Sequence, residues 1–219
     1  GDFLIILFTS NNIASRKIAE KLILNHDFKK TKENEWQNGS TTLVDTKLPT
    51  VLDVPTIESD CIIMLSTHKS KNPGKMLTAH LPGNWSDAGL GGEARRLNIA
   101  PAARLKKIAI EMDKEAKKIG WPFCFEADHH GPTIDIPIIF VEIGNGEEQW
   151  ADENAADAVA NAVAASLGPV NECKVVIGFG GGHYQREFTK IVVDGELAVG
   201  HMAPKYTIDK LDEDMFRQA

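Results

Sequence analysis

Short runs of consecutive apolar residues recur along the chain, and they constrain its fold more than any other feature. They cover residues 3–9, 61–66, 123–126, 138–143 and 175–179, with shorter ones at 77–80 and 197–200. Each has the length of a buried strand, and the segments between them carry helical spacing. Asn11 or Asn12 suits the cap of a helix with Ile18, Leu22 and Ile23 on one side. Pro101 suits a first helical position, Leu105, Ile108, Met112 and Ile119 mark one face, and Gly120 suits a stop. An Ala-rich helix is expected over 152–167, with Val159, Val163 and Leu167 on a stripe and Gly168 at its end. Residues 41–46 alternate like an edge or half-buried strand, 34–39 read as a polar turn around Trp36, and 209–216 as a final helix. Apolar strands alternating with amphipathic helices predict an α/β fold: a mainly parallel mixed sheet with helices on both faces. A chain of 219 residues with 42% hydrophobic content suits one such domain spanning residues 1–219.

Composition narrows the function. The apolar run near the amino terminus is too short to span a membrane and lacks the basic flank of a signal peptide. Cys61, Cys124 and Cys173 are odd in number, far apart and form no CxxC pair. The expectation is a reduced, cytoplasmic protein with no membrane partner. A net charge of −7 argues against DNA or general nucleic-acid binding, which needs a broad basic surface. It leaves room for a local basic rim, from Lys69, Lys71 and Lys75 or from Arg95, Arg96, Arg104, Lys106 and Lys107.

Ligands in open α/β sheets bind at the carboxyl ends of strands, and the histidines fall there. His68 follows 61–66 in Ser66-Thr67-His68-Lys69-Ser70, and His80 ends 77–80. His129 and His130 follow 123–126 in Glu126-Ala127-Asp128-His129-His130-Gly131-Pro132-Thr133. His183 follows 175–179 in Gly180-Gly181-Gly182-His183-Tyr184, and His201 follows 197–200 in Gly200-His201-Met202-Ala203-Pro204-Lys205-Tyr206. Imidazoles near Glu126, Asp128 and Glu142 match the ligand types of a catalytic zinc or of a general base with its orienting partner. Adjacent histidines on an extended segment point to opposite sides, so His129 and His130 need a turn to meet at one site. Glycines beside an imidazole suit an oxyanion site for acyl transfer. The glycine loop is neither GxGxxG nor a Walker loop, and no GxSxG or HExxH is present. Each segment also has a plainer reading, as a polar turn, a helix cap or a packed histidine. His26 beside Asn25 is most simply a helix terminus.

Taken in order, five segments resemble the archaeal and plant type of D-aminoacyl-tRNA deacylase. They are Ser66-Thr67-His68-Lys69-Ser70, Leu77-Thr78-Ala79-His80, His129-His130-Gly131-Pro132-Thr133, Gly180-Gly181-Gly182-His183-Tyr184 and Gly200-His201-Met202-Ala203-Pro204-Lys205-Tyr206. The resemblance implies hydrolysis of the ester between a D-amino acid and the terminal adenosine of tRNA. It also implies a fold akin to peptidyl-tRNA hydrolase and the purine nucleoside phosphorylases, dependence on Zn2+, and a carboxyl-terminal continuation beyond Ala219. On this reading His80, His129, His130, His183 and Glu142 are catalytic candidates, and His129, His130, His183 and Glu126 are metal candidates. His68, Lys69, Thr133, Gly180, Gly181, Gly182, Tyr184, His201 and Lys205 are expected to bind substrate, the acceptor end of tRNA, in a monomer. The alternatives are a phosphorylase-like or small-molecule metallohydrolase, and a non-catalytic module for the tRNA end.

Overall fold

The computed structural model describes residues 3–72 and 74–219. Strands β1 (Leu4–Phe8), β2 (Lys29–Lys32), β3 (Glu35–Asn38), β4 (Thr41–Asp45) and β5 (Cys61–Thr67) alternate with α1 (Ile13–Asn25) in the first third of the chain. Then come β6 (Met76–His80), β7 (Gly83–Asn84), β8 (Arg96–Leu97), α2 (Ala102–Lys118), β9 (Phe123–Phe125) and β10 (Ile138–Gly144). The remainder holds α3 (Glu147–Trp150), α4 (Glu153–Ser166), β11 (Val175–Phe179), α5 (Arg186–Asp194), β12 (Ala198–Ala203), a 3-10 turn (Lys205–Lys210) and α6 (Glu213–Gln218).

Eight strands form one sheet in the order β2-β3-β4-β1-β5-β10-β6-β9, while β11 pairs with β12 and β7 with β8. The central run β4-β1-β5-β10 is parallel. Direction reverses at β6, which pairs antiparallel with β10 and parallel with β9. Sequence gave no warning of this reversal, because apolar runs look alike in both directions. It matters for the site, since the carboxyl ends of β5 and of β6 and β9 point opposite ways. The β2–β3 hairpin replaces the expected turn around Trp36, and β3 covers β4, so β4 is not an edge. β2 reads Lys-Lys-Thr-Lys with every residue exposed, a pattern that carries no apolar periodicity.

Alternation divides the sheet residues between two faces. One set, including Leu4, Ile6, Ile63, Leu65, Leu77, Ile139 and Val141, shares a core with Ile18 and Leu22 of α1, Leu105 and Met112 of α2, and Val159 and Val163 of α4. The other set, Ile5, Leu7, Ile62, Met64, Ile138 and Phe140, packs under loop residues Val51, Leu52, Val54, Ile57, Ile134 and Ile136. This second face carries the polar residues described below.

Local sequence explains the helix ends. The Asn12 side chain accepts from Ser15 N at 3.0 Å, and Ser15 Oγ accepts from Thr9 N at 3.0 Å, which closes the turn from β1 into α1. Asp152 caps α4 by accepting from Ala155 N at 2.8 Å. Arg104, buried on α2, donates to the carbonyls of Ser166 and Gly168 at the carboxyl end of α4. Lys106 donates to the Gly195 and Leu197 carbonyls, and Lys107 to that of Pro169. The basic cluster expected as a rim for nucleic acid is therefore largely spent on tying elements together. Arg95 likewise pairs with Asp212 at 2.5 Å. His26 closes α1 as expected, with Nε2 2.8 Å from Asn161 Oδ1. Cys61 and Cys124 are buried, and the cysteines form no disulfide among the described residues. Among the described residues, no helix is long and apolar enough to cross a membrane.

The centre of the sheet should be the most sensitive place for a truncation. Ile63 on β5 is fully buried between helices and strands. Replacing it with alanine is expected to cost about 2–5 kcal/mol in urea unfolding; a cost under about 1 kcal/mol would mean that the sheet centre is not packed as described.

Candidate active site

Three neighbouring strands place polar side chains in one row. Register puts Glu142 of β10 beside Ser66 of β5 and Thr78 of β6, with His80 beside Phe140 one step along. Ser66 Oγ donates to Glu142 Oε1 at 3.0 Å and Thr78 Oγ1 to Oε2 at 3.3 Å, so Glu142 is buried but solvated by hydroxyls. His80 is fully buried, with Nε2 3.5 Å from Glu142 Oε1.

A second carboxylate gathers the remaining imidazoles. Glu126 follows β9, is fully buried, and its Oε2 lies 2.9 Å from His68 Nδ1 and 2.6 Å from His183 Nε2. Backbone pairing fixes these segments against each other. Glu126 N donates to Ala79 O and Ala127 N to His183 O, and Glu126 bridges Tyr184. His68 is clamped from its other side by the Tyr184 hydroxyl, 3.0 Å from Nε2.

His129 and His130 do meet at one place. His130 takes a left-handed backbone, φ 50°, which turns the second ring back toward the first, with centroids 4.5 Å apart. The His80 ring lies 4.1 Å from His129 and 4.7 Å from His130. The turn is closed by Gly131, where a Cβ would sit 2.5 Å from Gly92 N; only glycine lets the Gly91–Gly92 backbone approach.

The hydrogen bonds of these three rings determine their protonation. Nδ1 of His80, His129 and His130 faces a backbone carbonyl, of Leu81, Ala127 and Gly131 respectively. A carbonyl only accepts, so each Nδ1 carries a proton, and a ring without a second proton presents an Nε2 lone pair. Yet His80 Nε2 faces Glu142 at 3.5 Å and His129 Nε2 faces Glu126 Oε2 at 3.5 Å. Lone pairs set against carboxylates call for a proton or a cation between them. His80 Nε2 and Glu126 Oε1 are buried without a hydrogen-bond partner. Ligand atoms of His80, His129 and His130 lie within 4.8 Å of one another, as do those of His68, Glu126 and His183, and of His80, Glu126 and Glu142. The chemistry and disposition of these donors fit a borderline-soft divalent metal such as zinc.

The cluster faces a cavity of about 480 Å3, lined by Asn11, Asn12, Pro49, Val51, Leu52, His68, Lys69, Leu90, His129, His130, Glu142 and His183 among others. A family model described as D-aminoacyl-tRNA deacylase matches residues 56–219 of this chain.

The chain belongs to the D-aminoacyl-tRNA deacylase family.

Curated relatives of that name agree. That of Thermococcus onnurineus is 34% identical, over 92% of this chain and 80% of the relative. That of Thermococcus kodakarensis is 35% identical with the same coverage, and that of Ignicoccus hospitalis is 38% identical over 78% of this chain and 69% of the relative. The fold matches the crystal structure of a conserved protein of unknown function, with a TM-score of 0.89, 27% identity, and coverage of 99% of this chain and 81% of that one.

In this deacylase-family chain the expected site residues separate into groups. His68, His80, His129, His130, His183, Glu126, Glu142 and Tyr184 converge, and Lys69 lines the cavity. The four expected metal ligands do not form one set: His129 and His130 group with His80, whereas His183 and Glu126 group with His68. His201 lies within β12, not beyond it. It is 1% exposed and its Nδ1 meets Asp128 Oδ2 at 2.8 Å, a contact that holds the Asp128 carboxylate in place. Thr133 Oγ1 accepts from Glu93 N at 2.8 Å and steadies the glycine loop over the histidines, which is a supporting contact. Gly180 N is already donated to Ala203 O at 2.8 Å, so among the three glycines only Gly181 and Gly182 keep N–H groups for an anion. Lys205 sits exposed at the start of the 3-10 turn. Asp128 stood beside Glu126 as a candidate carboxylate but not among the expected site residues, and Trp85 carried no signal; burial and missing hydrogen-bond partners single both out.

Charge is distributed unevenly over the cluster. Burial pushes Glu126 up, but hydrogen bonds from His183 and His68 outweigh it and hold the carboxyl well below its ordinary value. Burial and the Glu126 charge push Glu142 up. Burial disfavours the charged form of His80, but Glu142 beside it raises the ring to about 9. Burial and the His80 charge then hold His129 well below the ordinary imidazole value and His130 at about 3.

These shifts predict acid lability in the metal-free protein. An unfolded chain protonates His130 near 6.5, while the folded protein keeps it neutral down to about 3. The unfolded state therefore binds more protons in that window, and stability falls as pH drops through it. Between pH 7 and 4.5 the wild type should lose about 1 kcal/mol or more of unfolding free energy beyond what His130→Gln loses. Equal losses in urea titrations at the two pH values would contradict the buried, neutral imidazole.

Proposed function

We propose that this chain hydrolyses the ester joining a D-amino acid to the terminal adenosine of tRNA, releasing free amino acid and tRNA as one catalytic α/β domain. The observation that carries this reading is the convergence of imidazoles from four distant segments around Glu126 and Glu142, with His68, His129, His130, His183 and Glu142 lining one cavity, in a chain of this family. An aminoacyl ester is an activated acyl group, so the enzyme needs a nucleophilic water, a stabiliser for the carbonyl oxygen and a chiral sieve.

His183 is the general base. Its ring is 34% exposed, against 10% for His68 and 20% for His129, and Glu126 holds its Nε2 at 2.6 Å. A buried carboxylate that orients an imidazole and balances its positive charge is the arrangement of acid–base dyads on many folds. The ring takes a proton from water as the oxygen attacks the acyl carbon, and returns it to the ribose oxygen as the ester bond breaks. Free N–H groups at Gly181 and Gly182 meet charge developing on the carbonyl oxygen. His80, His129 and His130 would hold the zinc, each oriented by its Nδ1–H bond to a backbone carbonyl. When bound, zinc supplies Lewis acidity at the acyl carbonyl. Lys69 on the cavity wall pairs with acceptor-end phosphate as a point charge, and Lys205 serves on the outer rim. The enzyme works in the cytoplasm, where charged tRNA is found.

The test is deacylation of paired D- and L-tyrosyl-tRNA with and without chelator. The D substrate should turn over and the L substrate should not, and chelator should abolish turnover. His183→Ala and His130→Ala should each lower kcat about 100-fold or more. Near wild-type rates for both variants under saturating zinc would remove them from these roles.

A further inference from the structure

A second, smaller cavity of about 150 Å3 lies against the same two histidines, walled by Trp85, Asp128, His129, His130 and Tyr206 among others. His129 and His130 thus line both cavities. A scissile ester has two arms, acyl and nucleoside, leaving its carbonyl in different directions. A reacting carbonyl held at these histidines would send one arm into each cavity.

Charge and size assign the arms. Lys69 lines the larger cavity, which is roomy enough for a nucleotide. The smaller one is lined by the acidic Asp87 and Asp128 and by no lysine or arginine, so it repels phosphate and favours a cation. Asp128 is also built to present one oxygen. Its Oδ2 is occupied by His201 Nδ1 at 2.8 Å and Met202 N at 3.2 Å, whereas Oδ1 is buried with no partner. Trp85 Nε1 is buried without a partner as well. A buried acceptor left unsatisfied is costly, and a bound donor removes that cost.

We propose that the smaller cavity receives the aminoacyl group, with its α-ammonium donating to Asp128 Oδ1 and its side chain against the Trp85–Tyr206 wall. This rests on the hydrolysis reading above and identifies the specificity residues for it. Chirality is read when three substituents of one carbon have fixed places. Here the carbonyl is held at His129 and His130, the ammonium at Asp128 and the side chain at the aromatic wall. The mirror substrate, with two of these fixed, points its side chain elsewhere.

The direct test compares wild-type kcat/KM for D-tyrosyl-tRNA and for N-acetyl-D-tyrosyl-tRNA, which lacks the ammonium. Acetylation should lower kcat/KM about tenfold or more, the scale of one hydrogen bond to a charged group. Asp128→Asn should lower it similarly for the free amine and leave the two substrates within about threefold of each other. Equal wild-type rates on both substrates would overturn the pocket assignment while leaving the hydrolase reading intact, and this arm needs no variant to fold. No wild-type turnover of either substrate would overturn the hydrolase reading and the pocket with it.

Discussion

One carboxylate oxygen, Glu126 Oε2, lies within hydrogen-bond reach of His68 and His183 and 3.5 Å from His129, at a position with no solvent exposure. A charge buried this way is tolerable only when paired and hydrogen-bonded. The strand ends and loops that deliver these imidazoles are therefore fixed relative to one another by a single group. The backbone enforces the same arrangement: residues 126–128 donate to Ala79, His183 and Met202 carbonyls, which ties the small β11–β12 sheet to the main one through the site. Fold and active site depend on the same few bonds.

The reversal of strand direction at β6 gives the cluster its shape. In a wholly parallel sheet the residues past each strand would line one edge. Here β5 and β10 run one way and β6 and β9 the other, so His68, His80 and Glu126 enter the same space from opposite directions. Glu142 sits in the middle of β10, held by hydroxyls from both neighbours, and acts as the floor of the site. The cluster then divides in two: the His80, His129 and His130 rings, whose ligand atoms lie close together as a metal requires, and a carboxylate–imidazole pair suited to moving a proton.

Much of this was legible in the sequence. Apolar runs located the core strands, and the cap at Asn12 and the stripe along α4 were readable from residue spacing. The clustering of His129, His130 and His183 followed from their places after strands. What was not legible has physical reasons. β2 is stabilised by pairing rather than burial, so its sequence is all polar. β6 reads as any buried strand, and only its partner reveals its direction. His201 looked like a loop residue because β12 runs farther than its apolar run, its polar side chain being satisfied by Asp128. Arg104 and Lys106 looked like a nucleic-acid rim, since a basic side chain that caps carbonyls has the same sequence signature as one that binds phosphate. Asp128 was legible as a carboxylate near the histidines, but not as a ligand for substrate, because an unpaired buried oxygen exists only in three dimensions.

The central claim is that Glu126 assembles the imidazoles into one working pocket, and its most direct test is Glu126→Gln. This change keeps the shape and removes the charge. The account predicts that kcat for D-aminoacyl-tRNA falls about 100-fold or more while the folded protein persists in circular dichroism. A variant with kcat within about threefold of wild type would contradict it, because the rings would then be held and activated without the carboxylate.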